Sequence, residues 1–152
     1  MTRTLLLATM LAALPGTLTA QAHPLVGNWN LSLPVGMRVE NDEPTAIMGK
    51  GSLTVAALGD SLIATLTTEP MEGRPPRPVA RMAAKLVVGK VVFIYTSTAT
   101  LNMNGEESTR KSISTYTLEA TGDALAGTVL RQIEGLEEQM GGSQPLSGTR
   151  AK

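Results

Sequence analysis

Ala57-Leu58-Gly59-Asp60-Ser61-Leu62-Ile63-Ala64-Thr65-Leu66 is echoed later in the chain by Ala120-Thr121-Gly122-Asp123-Ala124-Leu125-Ala126-Gly127-Thr128-Val129, with identities at Ala, Gly, Asp, Leu and Thr. Each stretch sets a Gly-Asp pair between runs that alternate apolar with small polar residues, and Gly89-Lys90 sits in the same way between two apolar runs. Glycine supplies the backbone conformation that a two-residue turn needs, and period-two alternation gives each flanking run one wet and one dry face. The chain therefore reads as a succession of hairpins, and the regular recurrence of the turns predicts a small all-β domain.

Outward from those turns, alternation predicts eight strands, over about 26–33, 50–57, 61–69, 79–88, 91–100, 110–120, 124–132 and 145–151. The inward face carries Trp29, Leu31 and Leu33 on the first, Leu53, Val55 and Ala57 on the second, and Leu62, Ala64 and Leu66 on the third. Met82, Ala84, Leu86 and Val88 follow, then Phe93 and Tyr95, Tyr116 and Leu118, Leu125, Gly127 and Val129, and finally Leu146 and Gly148. No segment holds a helical period for long; the best candidate, Ile133–Met140, is flanked by glycines and at most two turns in length. Eight short sequential strands satisfy their edges most simply by closing, so the expectation is an eight-stranded antiparallel up-and-down barrel, with a two-sheet sandwich as the alternative.

The first 22 residues stand apart from that pattern. Arg3 gives a positive start, Leu5–Leu14 an apolar stretch, Pro15-Gly16 a break, and Ala20-Gln21-Ala22 a small-x-small cleavage signal. These are the parts of a secretory signal peptide, and the apolar stretch is about half of the roughly 20 residues a membrane-crossing helix needs. Cleavage after Ala22 leaves a single domain over residues 23–152; cleavage after Ala20 is the other option. The expected location is periplasmic or extracellular. No other stretch is long enough to span a bilayer as a helix.

Composition removes several function classes. With no cysteine there is neither a lipid-anchored Cys nor a disulfide framework. Thirteen basic and thirteen acidic side chains balance, which argues against a nucleic-acid partner. One histidine and no cysteine leave no catalytic triad and no multi-ligand zinc site, and the Gly-Asp turns lead into strands, not into the helix a phosphate loop requires. No catalytic residue, metal or cofactor is assigned. His23 raises copper chelation by a processed N-terminus, but a second histidine is missing. Adjacent acids such as Glu106-Glu107 diverge in space, and Arg74-Pro75-Pro76-Arg77-Pro78 reads as a stiffened exposed loop.

In an up-and-down barrel alternate connections share an end. The long ones, about 34–49, 70–78, 101–109 and 133–144, then gather at one rim, together with Met37, Met48, Met71, Met103 and Met140 and most of the acidic residues. The inward positions are rich in Leu, Val, Ala and Gly, which leaves room for a small ligand in a barrel of this size. The expected ligand contacts are Met82, Phe93, Tyr95, Tyr116 and Leu118 inside, with Met37, Met71, Met103 and Met140 as a lid. The expected function is non-enzymatic binding of a small hydrophobic molecule at the loop-rich mouth. The alternative is a protein-interaction module, its barrel filled and its loops docking a partner.

Leu25-Val26-Gly27-Asn28-Trp29-Asn30-Leu31 resembles the Gly-x-Trp opening of lipocalins and the wider calycin superfamily, and Leu146-Ser147-Gly148-Thr149-Arg150 resembles their closing strand. The mature chain as a whole is similar to short bacterial lipocalin-like barrels. The resemblance implies that Gly27, Trp29 and Arg150 close the base of the barrel, with the arginine packed across the indole. A guanidinium over an indole contributes about 0.5–2 kcal/mol, and closure would itself make the first and last strands neighbours.

Overall fold

A computed structural model describes residues 23–41, 43–87, 90–103, 105–136 and 142–152. The proposed signal peptide, Gly89 and Met140 lie outside the described residues. Eight antiparallel strands run β1 (Gly27–Glu40), β2 (Glu43–Leu58), β3 (Ser61–Thr68), β4 (Ala80–Val87), β5 (Lys90–Met103), β6 (Glu106–Thr121), β7 (Ala124–Ile133) and β8 (Gln144–Arg150). Each pairs with its sequence neighbours and β8 returns to β1, giving a closed barrel in simple up-and-down order. There is no helix among the described residues.

The repeated Gly-Asp pairs form the turns expected of them. Leu58 pairs with Ser61 and Thr121 with Ala124, so Gly59-Asp60 and Gly122-Asp123 are two-residue connections. The glycines take φ of 58° and 61° while the following aspartates stay at negative φ, the arrangement of a type II′ turn whose twist suits a hairpin.

Closure joins Trp29 to Arg150, Asn30 to Thr149, Leu31 to Gly148 and Ser32 to Ser147. The base is sealed around that seam. Trp29 is fully buried, and its indole Nε1–H donates to the Leu25 carbonyl at 2.8 Å. The Arg150 guanidinium lies 4.3 Å from the centre of the Trp29 ring, and its Nη groups donate to the carbonyls of Val26, Pro24 and Gly122 at 3.0–3.2 Å. Gly27 takes φ of 137°, a backbone conformation side chains rarely adopt, and a Cβ there would also come within 2.5 Å of Arg150 Nη1. Above the seal, Leu31, Leu53, Val55, Leu62, Ala64, Met82, Phe93, Leu118, Leu125 and Leu146 interdigitate in one apolar cluster. At about 25 cal/mol per Å² of apolar surface, this packing is the main stabilising term in a chain without cross-links.

Two of the expected long loops are absent. The segment read as a loop over 34–49 continues β1 and β2 to a turn at Asn41, with Met37 opposite Ala46 and Glu40 opposite Glu43. The segment over 101–109 likewise continues β5 and β6, ending with Met103 opposite Glu106. Pro34, Gly36 and Gly49 punctuate the first of these in sequence, yet the strand tolerates them. The β1–β8 ladder stops at Ser32, so Pro34 lies where β1 is not paired to β8, and the register shift between Pro34 and Gly36 forms a bulge at Val35. The connection over 69–79 remains a true loop, and it and the link from β7 to β8 lie at the same end as the two long hairpins. All four long-read connections therefore share one rim. The turns between β2 and β3, β4 and β5, and β6 and β7 lie at the other.

Candidate functional site: a cup at the loop-bearing end

The inward face of the barrel changes character along its length. Near the base the inward residues are large and apolar; toward the rim the same parity brings Tyr95 and Ser97 on β5, Ser112, Ser114 and Tyr116 on β6, and Arg131 on β7. Small polar groups leave the upper interior unfilled. The result is an open cup of about 640 Å³, floored by Val35, Leu66, Ala80 and Val129, all buried, and walled by Tyr95, Ser97, Ser114, Tyr116 and Arg131.

The loop between β3 and β4 forms a strap across this opening. Met71, Arg74, Pro75, Pro76, Arg77 and Pro78 all line the cup. Two contacts tie the strap to β1. Arg77 Nη2–H donates to the Val35 carbonyl at the bulge, and the Arg74 guanidinium rests on Gly36, where a Cβ would come within 2.6 Å of its Nη1. The β4–β5 ladder spans only Ala84–Phe93 to Val87–Lys90, so the rim half of β5, including Tyr95 and Ser97, faces the strap.

Electrostatics inside the cup differ from those outside it. Burial lowers the Arg77 guanidinium from its ordinary pKa, and the positive charges of Arg131 and Arg74 act in the same direction. Burial raises the Tyr116 phenol, while Arg77, Arg131 and a hydrogen bond with Ser114 pull it back. Tyr116 is thus a neutral hydroxyl beside crowded cations. Arg131 is anchored by Nε–H donation to the Ser112 hydroxyl at 3.3 Å, and Ser112 is almost wholly buried. Glu69 is the sole acid among the described lining residues. Glu40, Glu43, Glu106 and Glu107 sit at the hairpin ends instead.

The expected contact residues divide between two levels. Tyr95, Tyr116, Met37 and Met71 line the cup. Met82, Phe93 and Leu118 are buried in the packed layer beneath it and are not among its lining residues. Met48 is half exposed on β2 and does not line the cup either. Met103 ends β5, but its side chain, like the whole of Met140, is outside the described residues. The arginines were the missed feature. Arg131 continues the parity of Leu125, Gly127 and Val129 on β7, so extending alternation beyond the last apolar residue would have found it.

At the opposite end, His23 Nδ1 accepts the Leu25 N–H at 3.2 Å, which engages the nitrogen that chelation with an N-terminal amine would use. No group of acids or histidines suited to a metal ion occurs among the described residues.

Comparison with known proteins leaves this geometry to stand alone. No family model, curated protein or solved structure matches the chain. The closed barrel of eight antiparallel strands is consistent with a lipocalin-like fold.

Proposed function

We propose that this protein is an exported, lipocalin-like barrel that binds a small hydrophobic molecule in the cup at its mouth and does so without catalysis. The observation that carries the reading is the asymmetry of the interior: a packed, sealed base beneath an open, apolar-floored cavity of about 640 Å³. That volume lies within the range of roughly 300–1,000 Å³ typical of small-molecule sites, which are concave, largely apolar and furnished with a few polar groups. Membership of the calycin superfamily is supported by Gly27, Trp29 and Arg150, whose contacts at the base are those the resemblance implies.

Native mass spectrometry of the protein purified from an exporting host tests the reading, paired with titration of Nile red, a neutral dye that brightens in apolar surroundings. A retained small molecule, or saturable one-to-one dye binding, is expected; neither being seen would sink the proposal. A docking module is the second reading, favoured by the filled lower barrel and by the β1–β2 and β5–β6 hairpins that reach the rim.

A further inference from the structure

Beyond the contacts that tie the strap to β1, three guanidinium groups bring positive charge to a cup whose floor is apolar. Arg74 and Arg77 come from the strap and Arg131 from β7, yet all three line one cavity. No ion pair engages any of them among the described residues; the pairs present are Arg38–Glu40 and Arg150–Asp123, both elsewhere. Like charges gathered around one cavity repel one another, an arrangement that an anion relieves.

Resting on the binding role proposed above, we infer that the ligand is an amphiphile with a phosphate-monoester head, held by Arg74, Arg131, Arg77 and the Tyr116 hydroxyl, its tail lying on Leu66, Ala80 and Val129. Charge balance favours phosphate over carboxylate. Among the described lining residues three cations face one exposed acid, Glu69, and a carboxylate brings one negative charge where a phosphate monoester brings about 1.5 to 2 and three strong acceptor oxygens. Donor supply agrees. Arg131 spends Nε on Ser112, leaving the terminal pair of its fork, and no side-chain hydrogen bond engages Arg74 among the described residues. Guanidinium forks match phosphate oxygens two at a time, and Tyr116, kept neutral, adds a hydroxyl donor.

The test is calorimetric titration of the mature chain at physiological salt, below micellar concentrations, with monododecyl phosphate, dodecanoate, dodecanol and inorganic phosphate. The phosphate monoester is expected to bind about 10-fold more tightly than dodecanoate, and its affinity to rise through about pH 6 as the second proton leaves. Variants R74Q and R131Q should each remove most of that preference, with R131K between R131Q and the unaltered protein, while circular dichroism confirms a folded barrel. Equal binding of the three dodecyl compounds, or R74Q and R131Q indistinguishable from the parent, overturns the inference and leaves the apolar cup standing. Inorganic phosphate binding as tightly as its dodecyl ester overturns it in favour of a free-anion site. No binding of any amphiphile, dodecanol included, overturns this inference and the proposed function together.

Discussion

Arg150 and Trp29 are register partners across the β1–β8 seam, and the guanidinium stacks 4.3 Å from the indole centre while reaching three backbone carbonyls of the base. A planar fork can serve a ring face and several acceptors together; a lysine ammonium cannot. R150K is therefore expected to destabilise the barrel by about 1–3 kcal/mol, from the lost cation–π contact and hydrogen bonds. Urea unfolding followed by Trp29 fluorescence reads the midpoint, and an unchanged midpoint would remove Arg150 from the seal.

The seam also depends on close approach. A Cβ on Gly148 would come within 2.6 Å of Leu31 Cδ2 and 3.0 Å of the Asn30 carbonyl, whereas one on Gly142 would meet nothing within 4 Å. G148A is expected to cost about 1–3 kcal/mol through overpacking, with G142A neutral or slightly stabilising. Thermal unfolding of the pair checks this, and equal melting temperatures would contradict it.

Tyr116 sets a pH dependence at the alkaline end. Its folded pKa is raised, chiefly by burial, so the folded chain keeps a proton that the unfolded chain gives up near pH 10. Above that point the native state binds more protons than the unfolded state. The stability contribution is complete below about pH 10 and is lost as pH rises through the folded value. Absorbance titration of phenolate should show a late component that Y116F abolishes; its persistence in Y116F would assign it elsewhere.

Ser97 lines the cup without being part of the packed layer below. S97W puts an indole into that space, and Nile red binding is expected to weaken by at least about 10-fold while stability changes by no more than about 1–2 kcal/mol. Undiminished dye binding by a folded S97W would place the dye outside the cup.

Export makes a simpler prediction. Mass spectrometry of the protein recovered from the exporting cell's periplasm or medium should give a chain beginning at His23, with Gln21 as the start if cleavage follows Ala20. A chain retaining Met1–Leu14 would contradict the signal-peptide reading.

Much of the wall was legible because alternation and Gly-Asp turns are local signals. Leu62, Ala64 and Leu66 face inward as their spacing requires, and so do Trp29, Phe93 and Leu125. The extension of β1 past Pro34 was not legible, since a proline, a bulge at Val35 and Gly36 erase the period that strands are recognised by. The cup was half legible. Tyr95 and Tyr116 follow from parity, but Arg74 and Arg77 line the cup only because a loop folds back over the opening, and no local pattern encodes that return.

The closing ladder couples residue 29 to residue 150, so the hairpins form from near neighbours whereas the last seam awaits the strand that the ribosome delivers after all the others. Until then one edge of β1 is an open template, and loop-closure entropy over most of the chain opposes its capture. Refolding should accordingly be slow relative to helical domains of similar length, and incomplete chains should be the species most prone to aggregate.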